Sequence, residues 1–407
     1  MEKEFNEDEA KRALDDLLDL LDRIPGAAKF RKDVQRLKAL LVDRRAPRLV
    51  VVGRRGHGKS SIANALLGYP KLAVGHVGDQ PADEEWLPLE VNGRHLHWLD
   101  TSGIGAGGIV GERLDKLKAQ VKGAFPDVIL LAVKASEVDS EIDATLGGFN
   151  SILNVLRAEG CSAPVIVLVT KVDELHPARD KEPPYRKPKQ ELIEAAVKTL
   201  AKHLERHSIK VKATLPLSAY MEFTEPEKAI EFDGRWNVDR LGDVVFSCLP
   251  EEATVEAARA FQSTKELRRK VARQIVAACA AVAFGVGLTP IPISDLAILA
   301  PLQLLMVTAV SYLSGRRIGA RAIADWLASL GVAGGAGIGL RAAFQQLVKL
   351  LPVGGPVLSA ALAGAGTWAI GMSAIAYFID DKSLDEAKAV FSTASKASRD
   401  WRPEDVE

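Results

Sequence analysis

The sequence predicts an α/β domain with a mainly parallel sheet and helices on both faces, flanked by an N-terminal helical hairpin and a C-terminal all-α hydrophobic domain. Three observations support this fold class. Short apolar runs alternate with helical stretches between residues 47 and 250. An amphipathic pattern of helical period precedes them. Long uncharged runs rich in Ala, Gly, Val, Leu and Ile follow them. The chain therefore combines a part with the composition of a soluble protein and a strongly hydrophobic part.

Composition limits the classes of protein to which the chain can belong. Its 407 residues carry 53 Lys and Arg against 53 Asp and Glu, so the formal net charge is zero. A neutral chain lacks the basic footprint of a nucleic-acid-binding protein, and we expect no nucleic-acid partner. Cys161, Cys248 and Cys279 are too few and too scattered for a disulfide framework or a zinc site, which favours a reducing compartment.

Changes in pattern divide the chain into five predicted segments. These are the N-terminal helical hairpin (1–46), the α/β domain (47–250), a charged helical connector (251–271), the hydrophobic helical domain (272–382) and a polar C-terminal helix or tail (383–407). The second arm of the hairpin has an apolar face formed by Phe30, Val34, Leu37, Leu40 and Leu41. We expect this face to pack against the next domain, with self-association as the alternative.

Six runs within the α/β domain are predicted strands. They cover residues 48–52, 87–91, 95–99, 127–133, 164–170 and a run that ends at 215–218. Near-continuous apolar strands separated by helices are typical of a parallel sheet that is covered on both faces. The charged, proline-rich segment 174–190 is predicted to be a surface loop.

The first strand leads into a glycine-rich loop with the spacing of a phosphate-binding P-loop. The stretch VVGRRGHGKSSIANALLG (51–68) contains Gly-x-x-x-x-Gly-Lys-Ser between a predicted strand and a predicted helix. Backbone N–H groups of such a loop surround phosphate oxygens, Lys59 reaches the β and γ phosphates, and the Ser60 hydroxyl coordinates Mg²⁺. The predicted nucleotide-binding residues here are Gly53, Arg54, Arg55, Gly56, His57, Gly58, Lys59, Ser60 and Ser61.

Three side chains of this loop have alternative roles. Arg54 or Arg55 could act as an arginine finger in cis, but such residues are more often solvated or contact a partner. For His57 we favour a contact at the top of the loop over a role as general base.

A second element, Asp100-Thr101-Ser102-Gly103, ends a predicted strand some forty residues after the P-loop. Its position predicts that Asp100 joins Ser60 at the metal and that Gly103 offers its backbone N–H to the γ-phosphate. The residues predicted to take part in catalysis are therefore Lys59, Ser60, Asp100 and Gly103.

Two later elements predict which base is bound. Asp173, after Thr170 and Lys171 at the end of another apolar strand, can accept hydrogen bonds from the N1–H and N2 amino groups of guanine. Adenine offers no such pair of donors, so a site of this kind discriminates strongly. Ser218 and Ala219 follow the last strand and suit a loop whose backbone N–H meets the guanine carbonyl.

In this order, the four elements resemble the guanine-nucleotide-binding set of the Era/TrmE-like P-loop GTPases over residues 47–250. The resemblance is carried by Val52-Gly53-Arg54, Gly58-Lys59-Ser60 and Asp100-Thr101-Ser102-Gly103-Ile104. It implies an α/β P-loop GTPase domain, GTP and GDP as ligands, Mg²⁺ as the metal and GTP hydrolysis as the activity. A homodimer through this domain is a candidate assembly.

Three departures from the family pattern bear on hydrolysis. Gly56 stands where this branch usually carries an Asn that helps to hold a monovalent cation, and Ile104 stands where Ras-like enzymes have a water-orienting glutamine. No threonine occurs between Ser61 and Asp100 to serve as the Mg²⁺ ligand of switch I. The acidic residues of the corresponding segment are Asp79, Asp83, Glu84 and Glu85. We therefore predict slow intrinsic hydrolysis.

The hydrophobic half predicts contact with a membrane. Between residues 274 and 314 the only charged residue is Asp295, a proline turn separates two apolar arms, and basic residues flank both ends. The first arm (275–288) is shorter than a spanning helix, whereas the second is about long enough, as is the uncharged run 351–379. The alternative is a soluble bundle with a tight Ala/Gly core.

Residues 265–380 resemble the YcjF-type C-terminal domain that accompanies bacterial Era-like GTPases. The residues that carry this resemblance are TPIPISDLAILAPLQLLM and KLLPVGGPVLSAALAGAGTWAIGMSAIAYF. It implies the cytoplasmic face of the bacterial inner membrane, as an integral hairpin or a peripheral domain, with a cytoplasmic location otherwise. The sequence thus predicts a slow GTPase switch coupled to a membrane-associated domain. The alternatives are a GTP-binding scaffold that does not hydrolyse and a soluble GTPase whose helical domain binds protein.

Overall fold

A computed structural model of the chain describes residues 15, 19, 30–72, 85–91, 93–101, 111–139, 142–261, 265–288, 294–315, 323, 326, 329–330, 356–396 and 402–403. The chain forms two compact units. One is an α/β unit, Ala46–Ser263, and the other is a helical unit made of Met1–Arg45 and Thr264–Glu407. The α/β unit is therefore inserted between two parts of the helical unit. The five segments predicted from sequence are finer than this division, and their boundaries stay predictions.

Helices and strands alternate in the described residues up to Asp233, and the described residues after that form helices and their connections. The strands are β1 (Arg48–Gly53), β2 (Leu87–Val91), β3 (Arg94–Asp100), β4 (Val128–Lys134), β5 (Val165–Thr170), β6 (Ala213–Pro216), β7 (Met221–Phe223) and β8 (Ile230–Asp233). The helices are α1 (Arg31–Leu41), α2 (Lys59–Leu67), α3 (Gly111–Gly123), α4 (Ile142–Ala158), α5 (Lys187–Arg206), α6 (Val238–Cys248), α7 (Glu251–Ala260), α8 (Lys265–Gly287), α9 (Ser294–Leu313), α10 (Pro356–Ala374) and α11 (Leu384–Lys396).

The α/β unit is built on a six-stranded sheet in the order β2-β3-β1-β4-β5-β6. Strands β2 and β3 pair antiparallel, and all other neighbours in this sheet pair parallel. The central strands β1, β4 and β5 consist of Val, Ile, Leu and Ala with few exceptions, and they are buried along almost their whole length. This confirms the predicted fold class, because strands covered on both faces need apolar side chains at every position.

The parallel strands place several loops at one edge of the sheet. The loops that follow β1, β3, β5 and β6 contain, in that order, the P-loop, Thr101, Asp173 and Ser218. Because the carboxyl ends of parallel strands meet at one edge, ligands of such sheets bind there.

Two features of the α/β unit differ from the sequence prediction. The short strands β7 and β8 form a hairpin that the sequence did not predict. The segment 174–190 is a loop only in its first part, because α5 begins at Lys187. Within that segment, Tyr185 and Lys189 are buried.

The helical unit is held together by close packing of apolar helices. A Cβ atom on Gly371 of α10 would lie only 2.3 Å from a Cγ atom of Val276 on α8, so the two backbones approach each other at this glycine. One hydrogen bond crosses from α9 to α10, where Gln303 Nε2 donates to Thr367 Oγ1 at 3.0 Å in the interior. A five-residue π-helical segment, Ile375–Ile379, extends α10.

Helix α1 packs on α8, although the sequence predicted the next domain as its partner. The four apolar side chains on its inner face are buried, and Phe30 lies against Gly285, where a Cβ would be 2.5 Å from the Phe30 ring. The periodicity correctly predicted the buried face of α1. It could not identify the partner, because α8 lies more than two hundred residues away in the chain.

Two described helices are long and apolar enough to cross a bilayer, Lys265–Gly287 and Ala360–Ile379. The first arm of the predicted hairpin is longer than expected, because α8 begins within the charged stretch at Lys265. In each of these helices, 72% of the apolar window is buried against other parts of the protein.

Candidate nucleotide-binding site

The P-loop has the glycines that its backbone geometry requires. Gly56 and Gly58 have φ angles of 83° and 82°, in the left-handed region that residues with a Cβ rarely adopt. A Cβ on Gly53 would lie 2.5 Å from the carbonyl oxygen of Ala132, so β4 leaves no room for a side chain at the point where the loop begins. The chain then turns and enters α2 at Lys59.

Lys59 lies across the mouth of this loop. Its ammonium donates hydrogen bonds to the carbonyl oxygens of Gly53 at 3.1 Å and Arg54 at 3.3 Å. It also lies 3.7 Å from Asp100 Oδ1, in an ion pair that is mostly shielded from solvent. The lysine thus folds back over the loop, in a position from which its charge can reach phosphate groups held by the loop.

Asp100 at the end of β3 has an unusual environment. Burial raises its pKa to about 6, and the nearby Lys59 ammonium opposes this rise. Its Oδ1 atom is buried and accepts no hydrogen bond from the residues that the structure describes. A buried carboxylate oxygen that lacks a donor fits a divalent cation or its water shell. Ser60, which is half-buried in the first turn of α2, supplies the hydroxyl of the predicted metal pair.

The imidazole of His57 is buried beneath the loop. His57 Nδ1 donates to the carbonyl oxygen of Ala132 at 3.0 Å, and Nε2 lies 2.9 Å from Glu137 Oε2. With both ring nitrogens engaged, His57 ties the P-loop to β4 and to the turn that follows β4. In this arrangement the ring is not placed at the top of the loop, nor is it positioned as a general base.

The two loop arginines differ in their surroundings. Arg54 Nη1 lies 3.8 Å from Glu137 Oε2 and is partly exposed, so its charge pairs with the same carboxylate as His57. Arg55 and Gly56 are exposed. The half-buried Ser61 follows Ser60 in α2.

Thr170 connects the P-loop with the predicted base-binding loop. Its buried hydroxyl donates to the carbonyl oxygen of His57 at 2.8 Å and is 3.3 Å from that of Val133. Thr101 is likewise buried, and its hydroxyl donates to the carbonyl oxygen of Val51 at 3.1 Å. These hydroxyl groups satisfy backbone carbonyls at the ends of strands, which fixes the loops relative to one another.

Ion pairs hold the predicted base-binding loop after β5. Lys171 adopts a left-handed backbone conformation with φ 56°, and its ammonium pairs with Glu174 at 2.9 Å. Lys134 at the end of β4 pairs with the same carboxylate at 2.7 Å. The half-buried Asp173 carboxylate accepts no hydrogen bond from any described residue and remains available to a ligand.

Ser218 and Ala219 form the fourth element. Ser218 is fully buried, and its backbone exchanges two hydrogen bonds with Trp236, at 3.1 and 3.0 Å. The neighbouring backbone N–H of Val172 reaches the carbonyl oxygen of Leu217 at 3.5 Å, so the two loops predicted to contact the base lie side by side.

Some predicted residues lie outside the described part of the chain. These are Ser102, Gly103, Ile104, Asp79, Asp83 and Glu84. Glu85 is described and is exposed. Within the described ranges, no group of three His, Cys, Asp or Glu side chains is arranged to hold a metal ion.

Four residues of the site region were missed from sequence. Glu137, Tyr185, Lys189 and Trp236 pack behind the loops rather than in a recognisable motif. For Tyr185 and Lys189 the sequence did carry a signal, an aromatic residue four positions before a lysine at the start of a helix. The many prolines and charges of 174–190 obscured it.

Comparison with known proteins supports the P-loop assignment for one part of the chain. Residues 48–171 match the family model described as 50S ribosome-binding GTPase. GTPase Der of Desulforapulum autotrophicum is 35% identical over 130 residues, which are 31% of this chain and 25% of that protein. GTPase Der of Aromatoleum aromaticum is 33% identical over 159 residues, 38% of this chain and 33% of that protein. The chain thus spans no more than a third of the length of either relative.

Solved structures show a weaker likeness. Toc33 from Arabidopsis thaliana in complex with GDP and Mg²⁺ is 17% identical with a TM-score of 0.36, covering 54% of this chain and 92% of that one. Era in complex with MgGDPNP and a segment of 16S ribosomal RNA is 18% identical with a TM-score of 0.33, covering 59% and 68%. Because these scores are low, the assignment rests on the sequence matches. The family match and the glycine-rich loop after β1 give residues 48–171 a P-loop GTPase fold.

Proposed function

We propose that this chain is a GTP-binding switch that hydrolyses GTP slowly and is coupled to a membrane-associated helical unit. One observation carries the nucleotide part of the proposal. Lys59 at the start of α2, Asp100 at the end of β3 and Asp173 after β5 lie at one edge of the sheet, and among the described residues none donates a hydrogen bond to the Asp173 carboxylate. Lys59 would bind the phosphates of a nucleotide, Asp100 its metal ion and Asp173 its base.

At the phosphates, the loop from Gly53 to Ser61 supplies backbone N–H groups and the positive end of α2. Lys59 exchanges its two carbonyl partners for phosphate oxygens. Ser60 and Asp100 would hold Mg²⁺, which would supply positive charge next to the phosphates. Gly103 supplies its backbone N–H to the γ-phosphate.

At the base, Asp173 accepts from the two guanine donors, and Lys171 lies along the ring. Thr170 keeps this loop in register with the P-loop through its hydrogen bond to His57. Ser218 and Ala219 present a backbone N–H to the guanine carbonyl. GTP and GDP are therefore the ligands that this edge of the sheet fits best.

Hydrolysis is expected to be slow because three usual contributors are missing. Gly56 replaces the cation-binding Asn, Ile104 replaces the water-orienting Gln, and no threonine lies between Ser61 and Asp100. The pairing of Arg54 with Glu137 also directs this arginine towards the turn after β4. A partner or a homodimer through the GTPase domain would complete the site.

The membrane part of the proposal rests on two long apolar helices and on the resemblance to YcjF-type domains. It places the helical unit on or in the inner membrane of a bacterium, at its cytoplasmic face. The alternative is a soluble GTPase whose helical unit binds protein. It is supported by the burial of most of each apolar helix within the protein. We retain the expectation of no nucleic-acid partner from the neutral charge.

Single-turnover hydrolysis of GTP by the full-length chain, with and without liposomes, tests the proposal. We expect slow turnover that Lys59→Ala lowers by about a hundredfold, since the lysine stabilises phosphate charge. Turnover no faster than that of Lys59→Ala in both conditions, with GTP still bound, would favour a scaffold that does not hydrolyse. Flotation of the same samples distinguishes membrane binding from a soluble unit that stays in the lower fraction.

A further inference from the structure

Lys189 is a fully buried lysine in the first turn of α5. Lysine is among the residues least often buried completely, because an ammonium loses its hydration. The positive end of the helix dipole makes this position less favourable still. Burial accordingly lowers the pKa of Lys189, while the Asp180 and Asp173 carboxylates act in the opposite direction. A side chain held at such a cost must make strong compensating contacts.

The ammonium of Lys189 compensates for this burial by binding the backbone of the loop between β5 and α5. It donates to the carbonyl oxygen of Asp173 at 2.7 Å and to that of Asp180. It also lies 5.0 Å from the centroid of the Tyr185 ring, within the range of a cation–π contact. Lys189 therefore fixes the backbone of the residue predicted to read guanine.

Tyr185 extends this contact to the second base-binding loop. Its buried ring packs edge-on against Trp236, with centroids 5.4 Å apart. Trp236 is paired through its backbone with Ser218 in both directions. A continuous path of contacts thus runs from Asp173 through Lys189, Tyr185 and Trp236 to Ser218.

We propose that Lys189 and Tyr185 are positioning residues for guanine specificity, which hold the Asp173 loop and the Ser218–Ala219 loop in fixed relation. This inference rests on the proposed function, because it concerns the same site. In this role neither side chain needs to contact the base. Lys189 fixes the carbonyl of Asp173, and since backbone and Cβ move together, it also sets the direction of the carboxylate.

Lys189 and Tyr185 give the segment 174–190 a role in positioning the predicted base-binding loops. The turn around Asp173 has backbone hydrogen bonds of its own, from Glu174 N to Lys171 O at 3.1 Å and from Leu175 N to Val172 O at 3.2 Å. Among the described residues, Lys189 adds the one contact that holds the carbonyl oxygen of Asp173 itself. A hydrogen-bonding group displaced by as little as about 1 Å loses much of its effect, so fixing the loop backbone sustains discrimination between bases.

Binding of diphosphates to the full-length chain tests this inference. GDP presents two donors to Asp173, whereas IDP lacks the N2 amino group and presents one. For Lys189→Met, which keeps the volume and removes the ammonium, we expect GDP affinity to fall about tenfold and IDP affinity about threefold. The matched control is Lys198→Met, an exposed lysine on the same helix, which should change neither affinity.

The ratio of the GDP and IDP affinities separates positioning from simple support of the fold. A folded Lys189→Met protein with an unchanged ratio overturns the inference, even if both affinities fall together. If wild-type protein binds GDP no better than IDP or ADP, this result would instead contradict the proposed function itself. If Lys189→Met does not fold, Tyr185→Leu provides the same test, because it removes the ring and leaves both lysine hydrogen bonds. A fall in its ratio supports the inference, and an unchanged ratio overturns it.

Discussion

The two units bury polar side chains in different ways. In the α/β unit four of them, His57, Thr101, Thr170 and Ser218, lie at one edge of the sheet and connect the carboxyl ends of four different strands. In the helical unit they lie between apolar helices, as in the hydrogen bond from Gln303 to Thr367. The four buried side chains at the strand ends therefore hold the loops of the predicted nucleotide site, whereas the pair between helices contributes to packing.

Both units have glycines where a neighbouring element leaves no room for a side chain, which suggests the first prediction. Gly53→Ala should have the largest effect on stability, because its Cβ would lie 2.5 Å from a backbone oxygen of Ala132 that cannot move away. We expect the free energy of unfolding of the α/β unit to fall by about 3 kcal/mol. Hydrogen exchange of the amides in β1 and β4 measures this change. Gly123→Ala, which meets nothing within 4 Å, is the control. Equal exchange rates in both variants would disprove tight contact between β1 and β4.

In the helical unit, Gly371→Ala and Gly366→Ala form a matched pair on α10. The first would place a Cβ 2.3 Å from Val276, a β-branched side chain with little freedom to rotate, and should cost about 2 kcal/mol. The second meets no atom within 4 Å and should raise stability by about 0.5–1 kcal/mol through helix propensity. Denaturant unfolding monitored in the helical unit measures both. Similar stabilities of the two variants would contradict the packing of α10 on α8.

The smallest effect concerns acid stability of the α/β unit. His203 Nδ1 and His207 Nε2 both lie 2.9 Å from Asp143 Oδ1, and these hydrogen bonds lower the pKa of the Asp143 carboxyl below its ordinary value of 3.8. A lowered carboxyl pKa adds stability above the unfolded pKa, and this contribution disappears as pH falls through the folded value.

The difference in unfolding free energy between wild type and Asp143→Asn measures this contribution. It should shrink as pH falls below about 4, where the unfolded carboxyl becomes protonated. A difference that does not vary between pH 6 and pH 2 would show that Asp143 contributes no linked stability.

Sequence patterns predicted the two units with different success. The central strands were predicted to within one residue, because fully buried parallel strands are continuous apolar runs. The hairpin of β7 and β8 was missed, since strands of three and four residues carry no periodicity. The partner of α1 and the contact between His57 and Glu137 were also missed. Both depend on residues at least eighty positions apart, which no local pattern records.

The site shows the same division between local and long-range information. The motifs predicted where the P-loop, Asp100, Asp173 and Ser218 lie, because each combines a strand end with a characteristic spacing. The residues that hold those motifs in place, Lys189 and Tyr185, were hidden in a segment that composition predicted to be a surface loop. Local composition describes average exposure, and it does not reveal a single buried lysine.

The most direct test of the account is the nucleotide preference of Asp173→Asn in the full-length protein. An amide at this position presents a donor as well as an acceptor, which no longer matches the two guanine donors but can pair with the extra carbonyl of xanthine. We predict that GTP affinity falls by about a hundredfold or more and that XTP becomes the preferred ligand. An unchanged preference for GTP would show that Asp173 does not read the base and would contradict the proposed site.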